Sequence, residues 1–226
     1  MNSHRDHGAY IEYNLEAIAE ILASKFKNSF VLVIRPTKME LKTFSCYSNF
    51  VSCNHIGTPS HEANHNALAH LIALLKSVAK LTGYNEVAED APLILIGFSK
   101  GCVVLNQFLH EIHYFNDSPF NNESNLVSEI KRLKKIMWLD GGHSGGKDTW
   151  ITSPSILSSL AALNIMVDIH ITPYQIKDDR RPWIGREEKQ FHTVLKKLGV
   201  PLVRKTYFTE EPPTIDNHFR LLKEFA

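Results

Sequence analysis

The chain has 226 residues, enough for one domain with a sizeable core, and a formal net charge of +1. Its composition, 43% hydrophobic and 22% charged, is that of an ordinary globular chain, with no global field that would draw it to nucleic acid or an anionic membrane. No apolar run approaches the roughly 18 residues of a spanning helix, and three cysteines without Cys-x-x-Cys spacing argue against a disulfide framework or a cysteine-based zinc site.

Residues 1–8 show neither an apolar signal core nor an arginine-rich amphipath, so no address is read there and the residues alone would leave the chain in the cytoplasm. Asn14 caps a helical period carried by Leu15, Ile18, Leu22 and Phe26. The run Ser29 to Arg35, stopped by Pro36, predicts a strand buried on both faces. Residues 37–60 keep no period and read as one long loop, of a length that is usually functional. A helix is expected from about Glu62 to Leu81, with Leu68, Leu71, Ile72 and Leu75 on one face.

The informative stretch comes next. A short apolar strand, Leu93 to Ile96, meets Gly97-Phe-Ser-Lys-Gly101 and passes straight into an apolar helix that runs to about Tyr114. Gly-x-Ser-x-Gly between a strand and a helix is the pattern of a nucleophile elbow, with Ser99 at the tip of a sharp, strained turn. Residues 116–128 read as a polar surface excursion. Lys135 to Asp140 is a strand ending in the glycine-rich loop 141–146, and a helix follows from Ser153-Pro154 to about Leu163. Ile165 to Ile171 is a strand, Trp183 to Leu198 a helix stopped by Gly199, and Leu202 to Phe208 a last strand. A short helix containing His218 closes the chain. This alternation implies one α/β domain over residues 1–226, with a mostly parallel sheet covered by helices on both faces.

Ligands of such sheets bind beyond the carboxyl ends of the strands. The polar residues expected there are Ser99, then Asp140 and His143, then Asp178 and Asp179, then His218. Serine, acid, histidine in that order is the arrangement of α/β-hydrolases. A serine hydroxyl needs a histidine to take its proton, and the histidine needs a carboxylate to hold its tautomer. Ser99 is read as nucleophile, His218 as base and Asp178 as the acid after the penultimate strand. Asp140 is the competing acid, and His143 a pocket residue. The backbone N–H of Lys100 would face a developing oxyanion.

A second pattern competes. His61-Glu-Ala-Asn-His65 matches the His-Glu-x-x-His helix of zinc hydrolases, with His61 and His65 as ligands and Glu62 as base. It sits at a helix start after Pro59-Ser60, His70 falls on another face, and no third ligand stands at a familiar spacing, so no metal or cofactor is assigned.

Several blocks carry a resemblance across nearly the whole chain: Leu95 to Gln107, Trp138-Leu-Asp-Gly-Gly-His-Ser-Gly-Gly146, Thr172-Pro-Tyr-Gln175, Trp183-Ile-Gly185 and Asn217-His-Phe-Arg220. Phe44-Ser-Cys-Tyr47 and Asn49-Phe-Val51 add to it. Together they resemble the α/β-hydrolase-like family named after an open reading frame on human chromosome 2. The resemblance implies a serine-hydrolase-like fold in a mitochondrial protein, with the site serine at Ser99, the acid at Asp178 and the histidine at His218. The chain looks N-terminally shortened beside that family: the early strands, one of which carries the loop giving a second oxyanion N–H, are expected to be missing, as is a presequence. The functional expectation is a serine hydrolase acting on a small or acyl substrate held through an ester, thioester or amide. The alternative is a catalytically silent hydrolase-fold protein that binds a protein partner through residues 37–60.

Overall fold

The structure, a computed structural model, describes residues 8–41, 44–85, 87, 91–117 and 129–226. The end of the polar excursion, residues 118–128, and the N-terminal residues 1–7 lie outside it.

Helix α1 spans Leu15–Lys25, and Asn14 caps it as expected, its side-chain oxygen accepting from Ala17 N at 2.8 Å. The stretch read as one long loop holds two short antiparallel ladders. Strand β1 (Lys38–Glu40) pairs with β2 (Phe44–Cys46), and β3 (Ser52–Cys53) with β4 (Pro59–Ser60). Helix α2 follows at Ala67–Thr82.

Four parallel strands form the main sheet in simple sequential order: β5 (Leu93–Phe98), β6 (Leu133–Leu139), β7 (Met166–Ile171) and β8 (Leu202–Thr206). Crossovers are made by α3 (Cys102–Asp117), α4 (Pro154–Ala162), and the pair α5 (Pro173–Ile176) and α6 (Trp183–Lys197); α7 (Ile215–Glu224) ends the chain. Successive side chains of a strand point to opposite faces, and β6 feeds two cores accordingly. Ile136 and Trp138 join the larger cluster with residues of α2, α3, α4 and α6, whereas Met137 and Leu139 join a smaller one with residues of α1 and α7. Helices therefore cover both faces of the sheet, and the α/β class read from the alternation holds.

Two expectations are corrected. Ser29 to Arg35 forms no strand and pairs with none among the described residues, and β5 stands at the edge of the described sheet. Phe30, Leu32 and Ile34 are 52%, 43% and 39% exposed while Val31 and Val33 are half-buried, so this run covers the molecule with one face instead of being buried on two. Its apolar content alone could not distinguish those states. Helix α2 starts at Ala67, five residues later than expected, because its first N–H groups are held by a buried carboxylate from another helix. Glu111 of α3 accepts from His65 N at 2.9 Å and from Ala67 N and Leu68 N at 2.8 Å each. That fixes the helix start from outside, where a local capping signal would have fixed it from within. Among the described residues no helix is long and apolar enough to cross a membrane.

Candidate functional site

The site is built at the carboxyl ends of β5, β6 and β7. Strand β5 ends at Phe98, and a single turn, Ser99–Gly101, leads directly into α3. The reversal puts Ser99 at φ +52°, a left-handed conformation that costs a residue with a side chain about 1–2 kcal/mol. Gly97 makes the reversal possible: a Cβ there would stand 2.7 Å from Leu105 Cδ1 and 3.0 Å from Cys102 Cα, closer than a side chain can be placed. Strand and helix therefore meet tightly around a serine held in an uncommon conformation.

One strand over, β6 ends and Asp140 also turns left-handed, at φ +48°. Its carboxylate is fully buried and fully engaged. Oδ1 accepts from Thr172 N at 2.7 Å, while Oδ2 accepts from Thr172 Oγ1 at 2.6 Å and from His218 Nδ1 at 2.7 Å. His218 comes from the first turn of α7, whose N-cap Thr214 accepts from Asn217 N at 3.4 Å. Three rings surround the imidazole: Phe98 stacks on it at 4.5 Å, and Tyr174 and Phe219 stand at 5.3 and 5.5 Å. With Nδ1 tied to a buried carboxylate, Nε2 is left as the basic nitrogen. Among the described residues Nε2 has no hydrogen-bond partner, and Ser99 Oγ, one residue beyond the stacked Phe98, makes no hydrogen bond to it.

The expected acid, Asp178, is elsewhere. After β7 the one-turn helix α5 carries the chain away, and Asp178 is captured by its own neighbours: Oδ2 accepts from Arg181 Nε at 2.7 Å and Oδ1 from Arg180 N at 2.9 Å. Burial opposes ionisation there, but the Arg181 bond and charge outweigh it and hold the carboxyl below its ordinary range. The carboxylate that reaches His218 is Asp140.

Two further predicted residues remain, His143 and Lys100. His143 Nδ1 accepts from Gly145 N at 3.0 Å, and its Nε2 is buried with no partner. Burial, foremost, lowers the imidazole pKa to about 4, so it is neutral. The Lys100 ammonium bends away from the turn and donates to Gly57 O; burial lowers its pKa, while Cys46 and Cys53 nearby oppose that shift. Thr58 Oγ1 and Ser144 Oγ are 3.0 Å apart, so the β3–β4 ladder lies against the glycine-rich loop.

The zinc pattern loses its physical basis. Residues 61–65 precede α2 and are not helical, so the i, i+4 spacing does not bring two imidazoles to one face. His61 Nε2 contacts Val103 O and His65 Nε2 contacts Ser48 O, both at 3.2 Å, and His61 stacks on His110 at 5.3 Å. Burial and the neighbouring His110 lower the His61 pKa to about 4. Among the described residues no group of three or more potential ligands could hold a metal ion.

Three features were not singled out from sequence. Thr172 gives Asp140 two of its three hydrogen bonds, yet in the sequence it stands only within a block of the family resemblance, with no role assigned to it. The aromatic surround of His218 is assembled from three separate elements. Glu111 looks like an ordinary polar residue of α3. Only the placement of Thr172 directly after an apolar strand hints at a role.

This geometry can be set beside known proteins. A family model described as C2orf69 matches residues 1–91 and 80–201. The human protein named mitochondrial protein C2orf69 is 35% identical over 274 residues, a match covering all of this chain and 70% of the human protein. The chain belongs to the C2orf69 family. The mouse homologue of that name is 36% identical, with all of this chain and 73% of the relative covered. The zebrafish homologue is 38% identical over 94% of this chain and 65% of its own length. No solved structure matches the chain.

Proposed function

We propose that this member of the C2orf69 family is a serine hydrolase of the α/β-hydrolase type, with Ser99 as nucleophile, His218 as general base and Asp140 as the orienting acid. The observation that carries the reading is the buried Asp140–His218 pair beside a left-handed serine at a strand-to-helix turn. Chemically, His218 Nε2 takes the Ser99 proton as Oγ attacks an acyl carbon, and Asp140 holds the imidazolium that forms. The Lys100 N–H, in the turn that leads into α3, faces the developing oxyanion with the helix dipole behind it. A serine–histidine bond that is open in the free protein closes in the substrate complex. Phe98, Tyr174 and Phe219 place an apolar surface beside the base, which favours an acyl substrate with an apolar portion. Like the relatives named mitochondrial proteins, the chain is proposed to act in the mitochondrion.

Hydrolysis of a p-nitrophenyl ester series of increasing chain length tests this. The expected result is turnover by the wild type that falls at least about 1000-fold in Ser99→Ala and in His218→Ala. Equal rates for all three proteins would leave the silent binding protein as the better account. A specific feature favours that second reading: Ser99 Oγ makes no hydrogen bond to His218 in the free protein.

A further inference from the structure

The hydrolysis proposed above gives the developing oxyanion one donor, the Lys100 N–H, whereas the oxyanion hole of a nucleophile elbow is made by two. A second donor stands beside the turn on the stretch 37–60. Strand β2 ends at Cys46, whose carbonyl accepts from Thr37 N at 2.8 Å. The next carbonyl, Tyr47 O, accepts from Phe50 N at 2.8 Å and from Val51 N at 3.0 Å. Phe50 and Val51 are buried, and the Phe50 ring meets Phe108 of α3 edge-on at 6.0 Å. Residue 47 is thus held on both sides and tied to the helix that begins at the serine turn. Its phenol ends at that turn. Gly101 is the second residue after Ser99, and a Cβ added there would meet Tyr47 Oη at 4.0 Å and, among the described residues, no other side chain beyond those of its chain neighbours. The same stretch touches the turn again where Gly57 O accepts from Lys100 Nζ.

We propose that Tyr47 Oη is the second donor of the oxyanion hole of Ser99, acting with the Lys100 N–H; the assignment rests on the serine-hydrolase reading and extends it. The Tyr47 ring packs on the larger core while its Oη touches solvent, and among the described residues that oxygen has no hydrogen-bond partner. A half-buried phenol ordinarily finds one. Burial, with Cys102 adding to it, pushes the phenol pKa up to about 12, so the oxygen carries its proton at neutral pH. A donor without a partner therefore stands at the end of α3 where the helix dipole is positive and favours negative charge. As Ser99 Oγ adds to the acyl carbon, an electron pair of the carbonyl moves onto its oxygen, and the phenol O–H and the Lys100 N–H bond to that oxygen. When the tetrahedral species collapses the pair returns, the leaving group departs with its bonding electrons, and the phenol keeps its proton throughout. Donors already in place at the developing charge lower the barrier without binding the substrate more tightly beforehand.

The test compares the full chain with Tyr47→Phe, which removes Oη and keeps the ring, in p-nitrophenyl ester hydrolysis, in fluorophosphonate labelling of Ser99 and in thermal unfolding. The expected result is a kcat about 100- to 1000-fold lower with KM within about twofold. Labelling of Ser99 should slow in parallel, and the melting temperature should stay where it is because Oη has no protein partner to lose. Wild-type kcat in Tyr47→Phe, with Ser99 still labelled, overturns the assignment and leaves the hydrolase reading standing. A raised KM with unchanged kcat would make the phenol a ground-state contact, and a kcat loss accompanied by a lower melting temperature would make it structural; either overturns the assignment. A wild type that neither labels nor turns over removes the hydrolase reading, and the assignment with it.

Discussion

Replacing Asp140 with asparagine separates the two candidate acids. Three donors converge on the Asp140 carboxylate: the N–H and O–H of Thr172 and Nδ1–H of His218. An amide has one acceptor oxygen. If that oxygen keeps the Thr172 N–H, the NH2 group faces His218 Nδ1, which must become an acceptor; the proton moves to Nε2 and the base is lost. If the amide is reversed, the buried Thr172 N–H is left unpaired at a cost of about 1–3 kcal/mol. The first outcome predicts that labelling of Ser99 by a fluorophosphonate probe slows about 10⁴-fold, the size of the effect known for the equivalent change in serine proteases. The second keeps the base and shows instead as a melting-temperature drop of about 2–12 °C for a domain of this size. Asp178→Asn, which breaks a pair with the partly exposed Arg181, should cost less than about 1 kcal/mol and leave the labelling rate within about twofold. Stopped-time labelling read by in-gel fluorescence measures both. Wild-type labelling by Asp140→Asn with an unchanged melting temperature, or loss of labelling in Asp178→Asn, would refute the assignment.

Ser99→Gly should abolish labelling yet change stability by no more than a gain of about 1 kcal/mol, because relief of the left-handed strain is offset by the greater chain entropy of glycine when unfolded; a clear loss in a urea titration would contradict the strained turn. Glu111→Ala removes the three-fold cap of α2 and should lower the melting temperature by about 6–12 °C, from about 3 kcal/mol of charge-assisted hydrogen bonds. An unchanged melting curve would deny the carboxylate that role. Acidification offers a fourth test. The folded-state pKa of His143 is lowered to about 4, so between the ordinary value of 6.5 and 4 the unfolded chain binds a proton that the folded chain does not. Stability is therefore lost as pH falls through that window, by about 2 kcal/mol from this residue between pH 6.5 and 5. His143→Asn should flatten that slope in pH-dependent urea titrations, and an unaltered slope would show that His143 is not buried as a neutral ring.

The parts of the fold set by local pattern were legible. Asn14 before an apolar period gave α1, and the apolar runs of β5 to β8 gave the parallel sheet, because each is written in neighbouring residues. The site was half legible for the same reason. The positions of Ser99, Asp140, His143 and His218 follow from strand ends, whereas which carboxylate meets His218 does not. Asp140 meets it, with Thr172 of the next strand holding the same carboxylate, and Asp178 does not, because Arg181 captures it. Neither fact is local to the acid itself. The false start of α2 at Glu62 has the same origin: its cap, Glu111, lies more than forty residues downstream. Ser29 to Arg35 misled in another way, since an apolar run reports a preference for burial without saying how many faces are covered.

Fluorophosphonate treatment of the wild-type chain, followed by tandem mass spectrometry, should find a single adduct on Ser99 Oγ, absent from Ser99→Ala and reduced about 10⁴-fold in Asp140→Asn. No adduct on the wild type, or one of equal intensity on another residue in Ser99→Ala, would contradict the account.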